Sequence, residues 1–151
     1  MAKVSRFFWM NPIEGDPLKV RIRRMTSDEQ MDFNLSIANL EEEFPELFEA
    51  MKEEAGKNTA KEKDDGPMFA RFKRYKGYPQ YSKFQKELFF THVVDIKNLF
   101  DDETEELIED LDEAMEAVYG FMQLPAANII AAIARGADEK FKKKSKPTRG
   151  S

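Results

Sequence analysis

Apolar and polar residues alternate with different rhythms along this chain, and each rhythm predicts a different element. Residues 3–10 are rich in aromatic and β-branched types, which suits a strand. Asn11-Pro12-Ile13-Glu14-Gly15-Asp16-Pro17 is dense in turn formers, so the chain is expected to reverse there. Leu18, Val20 and Ile22 then alternate with Lys19, Arg21 and Arg23, placing apolar side chains on one face and cations on the other. The two runs predict a β-hairpin with one wet face. A lone hairpin is marginal in water, so its apolar side needs a helical cover.

From Thr26 the rhythm becomes helical. Thr26 with Glu29, or Ser27 with Gln30, has capping-box spacing, in which a side-chain oxygen accepts from the first free N–H groups of a helix. Phe33, Ile37, Leu40, Phe44, Leu47 and Met51 then recur at three- and four-residue steps. Pro45 interrupts this stripe but is well placed in the first turn of a new helix. Two helices are therefore predicted, near 27–42 and 44–55, with a bend between them.

The run from Gly56 to Pro67 is almost free of apolar residues and cannot offset its ordering entropy by burial, so it is expected to be a mobile loop. Beyond it an aromatic ring falls at every third position: Phe69, Phe72, Tyr75, Tyr78, Tyr81 and Phe84. A period of three drifts around an α-helix, and Gly77 and Pro79 break regular structure, so this stretch is expected to be irregular and partly extended. Residues 88–99 fit a strand or a helix, and the β-branched Val93, Val94 and Ile96 favour an extended or mixed conformation around 92–95.

The last third is helical by pattern. Asp101 or Asp102 is expected to cap a helix with the stripe Leu107, Leu111, Met115, Val118 and Met122. Leu124-Pro125 opens another helix, with Pro125 as first residue and Ile129, Ile130, Ile133 and Ala137 on its apolar face. The fold class expected is α+β, mainly α, with an N-terminal β-hairpin packed on a small helical bundle. Residues 1–143 are expected to form a single domain with a mobile loop at 56–67, followed by a disordered basic tail at 144–151.

Composition narrows the function classes. There are no cysteines, which excludes a disulfide scaffold, a thiolate metal site and a cysteine nucleophile. No apolar run reaches transmembrane length, and Phe7-Phe8-Trp9-Met10 is too short for a signal-peptide core, so the expected location is cytoplasmic, in the host cytoplasm if the gene is a phage's. The net charge of −5 conceals blocks: basic to Met25, acidic at 41–54, basic at 71–86, acidic at 101–116, and basic from Lys140. Such blocks suit solvated faces, and equally electrostatic pairing within the fold or with a partner.

Candidate chemistry is sparse. His92 is the only histidine and lies among apolar residues, which suits a structural role. The pairs Asp101/Asp102 and Glu105/Glu109 are acids expected near the start of a helix from its dipole alone. No Walker loop, Gly-x-Ser-x-Gly, dinucleotide fingerprint or His-Glu-x-x-His occurs. The expectation is a protein that is not an enzyme, with no catalytic residue, metal or cofactor. Phe69, Phe72, Tyr75, Tyr78 and Tyr81, with Leu111, Met115, Ile130 and Ile133 of the last helices, are the candidate residues for holding another protein. Eight methionines add adaptable apolar surface. Arg71, Lys73, Arg74 and Lys76, interleaved with rings, give an alternative surface for single-stranded nucleic acid. The acidic helix expected at 101–116 gives a third reading, an inhibitor that binds a host enzyme through Glu105 and Glu109.

Three segments together resemble a known family. Leu18-Lys19-Val20-Arg21-Ile22-Arg23-Arg24-Met25-Thr26-Ser27-Asp28-Glu29 is a basic strand running into a Thr-x-x-Glu cap. Val93-Val94-Asp95-Ile96 leads to Leu99-Phe100-Asp101-Asp102-Glu103, and Leu124-Pro125-Ala126-Ala127 opens an alanine-rich last helix. The order is similar to that of phage tail assembly chaperones, small proteins encoded before the tape-measure protein. The resemblance covers about half the chain and implies a role in virion assembly: binding a long helical tape-measure chain and keeping it soluble until the tail tube polymerises around it. The expected partner is thus another protein, with nucleic acid as the alternative, no membrane, and oligomerisation left open.

Overall fold

Strands β1 (Phe7–Met10) and β2 (Lys19–Arg23) form the expected hairpin. In this computed structural model, residues 1–56 and 72–137 are described. The hairpin turn is held by short polar side chains. Asn11 Nδ2 donates to the Leu18 carbonyl at 2.9 Å, and Leu18 N–H donates to Asp16 Oδ1 at 2.9 Å. Gly15 takes φ +81, a conformation other residues adopt only with strain.

Six further elements follow: α1 (Ser27–Glu43), α2 (Pro45–Gly56), α3 (Tyr78–His92), β3 (Val93–Lys97), α4 (Leu111–Phe121) and α5 (Gln123–Arg135). The architecture is α+β and mainly α, as the sequence predicts. The sheet has a third strand beyond the hairpin. β3 pairs antiparallel with the free side of β2, giving the order β1-β2-β3 and a bulge between Arg21 and Ile22. The ambiguous stretch 88–99 is thus mixed, with α3 ending at His92 and the β-branched residues entering the sheet.

The chain divides into two units, Met1–Met25 with Leu88 onward, and Thr26–Glu87. In the first, β2 carries the buried face: Val20 and Ile22 are wholly buried, joined by Met10, Val93 and Ile96. Helices α4 and α5 cover this sheet through Met115, Val118, Ile129 and Ile133. Each such side chain removed from water contributes ~1.5–3 kcal/mol. Three polar ties hold this unit, two of them between α5 and the segments flanking the hairpin strands and one within the sheet layer. Asn128 Nδ2 donates to the Pro12 carbonyl at 3.0 Å, and Asn98 Nδ2 donates to the Pro17 carbonyl at 2.9 Å. Arg24 Nη1 donates to the carbonyl of Gly136, which ends α5 in a left-handed turn (φ +77). A cation at that terminus also meets the negative end of the helix dipole.

The second unit is helical. Thr26 and Glu29 form a complete capping box, with Thr26 Oγ1 accepting from Glu29 N–H at 3.1 Å and Glu29 Oε1 from Thr26 N–H at 2.9 Å. Phe44 closes α1 and Pro45 opens α2, the bend expected from the proline. Leu47, Phe48 and Phe72 form the buried centre, ringed by Ile37, Leu40, Phe44, Met51, Tyr75, Tyr78 and Tyr81.

Two expectations are corrected. The described part of the aromatic stretch is not irregular throughout: turns through Phe72 and Tyr75 lead into α3, with Pro79 inside its first turn, where its missing N–H costs nothing. Gly77 sits at the junction with φ +90, and a Cβ there would lie 2.3 Å from Phe44 Cγ. Glycine here starts the helix by allowing Phe44 to pack against the backbone. The acidic helix also begins later than expected. Residues 101–110 form a loop, because Asp101 Oδ1 accepts from the N–H groups of Glu103 and Thr104 and so favours a turn over helix. Glu105 adopts φ +63 in that loop, and Phe100 bridges to Leu107. The cap is Asp110, whose Oδ2 accepts from Glu113 N–H at 2.9 Å.

Candidate binding surfaces

Most residues singled out by sequence for partner binding are committed inside the fold. Phe72 is buried, and Tyr75, Tyr78 and Tyr81 are half-buried against Leu47 and Phe48. Phe48 meets Tyr81 edge to face, with centroids 5.7 Å apart. Burial, with Tyr78 nearby as the smaller cause, pushes the Tyr81 phenol up to about 12. Met115, Ile130 and Ile133 are buried and Leu111 is half-buried in the first unit. These side chains are wholly or partly taken up by packing within their own units. Phe69 and Arg71 lie outside the described residues, as do the segment expected to be a mobile loop at 56–67, apart from Gly56 at the end of α2, and the segment expected to be a disordered tail at 144–151. Lys73, Arg74 and Lys76 are exposed, with Arg74 held 5.0 Å from the Tyr75 ring. The structure thus brings together Phe72, Tyr75, Tyr78 and Tyr81, but as a core with Lys73, Arg74 and Lys76 outside it.

His92 is buried and its Nδ1 lies 3.0 Å from the Arg23 carbonyl. A carbonyl can only accept, so Nδ1 carries the proton and the ring ties the end of α3 to β2. This is the structural role expected of it. Among the described residues no group of three or more His, Asp or Glu side chains is arranged to hold a metal. Glu105 and Glu109 are exposed but lie on the loop before α4, which leaves Asp112, Glu113 and Glu116 as the acids on the helix itself.

Two surfaces were not found from sequence. The first is the corner between α4 and α5, where the chain bends by 108°. Phe121 is 87% exposed and Leu124 60% exposed, three positions apart across the break at Met122. Their neighbours Val118, Ala126 and Ile129 are buried, so the corner projects two large apolar side chains from a firmly seated pair of helices. No single described helix is long and apolar enough to cross a membrane.

The second surface is the outer face of the sheet. Phe7 and Trp9 point away from the core, opposite Arg23 and Arg21 in register. Arg21 lies 4.4 Å from the Phe7 ring centroid, while Lys19 and Lys97 lie 5.4 Å and 5.6 Å from that of Trp9. Lys19 and Lys97 are direct cross-strand partners. The sequence showed the cations of β2 on one face. It could not show which rings join them, because all four residues of β1 are apolar and either alternate pair could face inward.

Compared with known proteins, the chain matches no family model, no curated protein and no solved structure.

Proposed function

We propose that this chain is a non-enzymatic protein-binding factor of the phage tail assembly chaperone kind, holding a helical partner such as a tape-measure protein. The observation that carries this reading is the α4–α5 corner. Phe121 and Leu124 remain in water beside a well-packed core, and exposed apolar side chains grouped on helices suit the apolar stripe of an amphipathic partner helix. The pattern of basic strand, capped helix and alanine-rich last helix supports the same reading. The nucleic-acid alternative at 69–84 is less well supported, since the rings that would stack bases are packed against Leu47 and Phe48.

Coexpression with a phage tape-measure chain, taken from the neighbouring gene where that gene encodes one, tests the proposal. The protein should hold that chain in the soluble fraction, and replacing both Phe121 and Leu124 with serine should lose it without unfolding the protein. Equal recovery of soluble tape-measure protein with the doubly substituted chain would contradict the assignment of the corner. No soluble complex with the unaltered protein would contradict the function itself.

A further inference from the structure

The outer face of the sheet concentrates positive charge at a cost to the fold. Lys19 and Lys97 sit directly opposite each other on adjacent strands, a like-charge arrangement that destabilises a sheet. Both ammonium groups converge on the Trp9 ring, and Arg21 lies 5.9 Å from the same centroid. None of Lys19, Arg21 and Lys97 forms an ion pair among the described residues. Asp95, opposite Arg21, accepts from the Ile96 N–H at 2.9 Å with one carboxylate oxygen. An anionic partner would relieve the repulsion between the lysines.

The geometry also selects the kind of anion. Base stacking would compete with the cations that already lie over both rings. A carboxylate needs only the cations, and the rings beside them offer apolar contact to its neighbours. Among the described residues β1 pairs with a strand on one side only, and an extended chain added at its other edge would place alternate side chains on this face. We propose that the outer face of the sheet, formed by Phe7, Trp9, Lys19, Arg21 and Lys97, docks an extended acid-rich segment of a partner protein. It uses no residue of the α4–α5 corner and does not depend on the assembly-chaperone reading.

Trp9 is the only tryptophan in the chain, so its emission reports directly on this face. The full-length protein is titrated with a blocked synthetic peptide of alternating Glu and Thr, carrying a fluorophore for anisotropy as a second readout. The expected result is saturable binding with a change in Trp9 emission, weakening as salt rises. Replacing Lys19 and Lys97 with glutamine should weaken binding about tenfold or more, while Lys83→Gln leaves it unchanged. Because the paired substitution alters the fold's own charge balance, the charge-swapped chain, Lys19→Glu with Lys97→Glu, is titrated with the matching Lys-Thr peptide, and binding should return. Binding of oligothymidylate with no response to the acidic peptide would overturn the proposal in favour of nucleic acid. A Trp9 change that depends only on protein concentration would overturn it in favour of self-association. No response to any probe would leave the face a solvated sheet surface and overturn it outright.

Discussion

The two units of this protein bury their apolar residues differently. In the unit built on the sheet, Val20, Ile22, Phe89, Val118, Ile129 and Ile133 lose all contact with water. In the helical unit, among the described residues, the buried apolar side chains are Leu47, Phe48 and Phe72, beside the polar Gln85, and α1 contributes no buried residue. The first core is mostly aliphatic and layered, so methyl groups from sheet and helix interlock. The second relies on large rings that lie half in and half out, several carrying hydroxyls that prefer a wet edge. A sheet covered by helices gives a firm platform from which other side chains can point outward. The expected outcome is that the helical unit opens at a lower free energy than the sheet-based one.

The strongest way to break this contrast is to open a cavity in the layered core. Ile133→Ala should lower stability by about 2–5 kcal/mol, read from the midpoint of chemical denaturation at unchanged slope. A change below about 1 kcal/mol would place the well-packed core elsewhere. Next comes Gly77→Ala in the helical unit. The left-handed backbone and the contact with the Phe44 ring together predict a loss of about 1–3 kcal/mol, with the far-ultraviolet helix signal falling. Retention of full stability would mean that Phe44 is free to move.

Alkaline pH discriminates the units through Tyr81. Its folded pKa of about 12 lies above the ordinary 10.0, so the neutral phenol is favoured by folding. That contribution is complete below pH 10 and is lost as pH rises through the interval to about 12. Phenolate absorbance should show this group titrating late, and Tyr81→Phe should remove the late step and its share of the alkaline instability. A smaller effect is expected at the cap: Thr26→Ala should cost about 1 kcal/mol by removing one half of the capping box. The smallest has the opposite sign. Glu105→Gly relieves a left-handed backbone in the exposed acidic loop and should raise the stability of the sheet-based unit by a few tenths of a kcal/mol to about 1.

The local rules of the sequence carried the hairpin, the capping box, the bend at Pro45 and the presence of the last helix, because each depends on residues close together in the chain. That helix begins at Gln123 rather than Pro125 and ends at Arg135, short of Ala137. What escaped them depends on distant partners. The third strand needed the open side of β2 to settle whether Val93–Lys97 is extended. The acidic loop satisfied every sequence criterion for a helix start, but Asp101 turns its carboxylate onto the next N–H groups and Asp110 caps instead. The tyrosines of the aromatic stretch looked equally suited to surface or core until α2 supplied Leu47 and Phe48. The exposed rings Phe7 and Trp9 were hidden by an unbroken apolar strand, in which register alone decides the outward face.

The outward-pointing surfaces, the α4–α5 corner and the outer sheet face, both belong to the sheet-based unit, which is expected to be the more stable of the two. Native-state amide hydrogen exchange, read residue by residue in increasing denaturant, tests it most directly. The amides of Val20, Ile22, Ile129 and Ile133 should exchange only through global unfolding, while those of α1 and α2 exchange through openings of lower free energy. Equal opening free energies across the sheet, α5, α1 and α2 would contradict the account, showing one cooperative body in which neither unit is the platform.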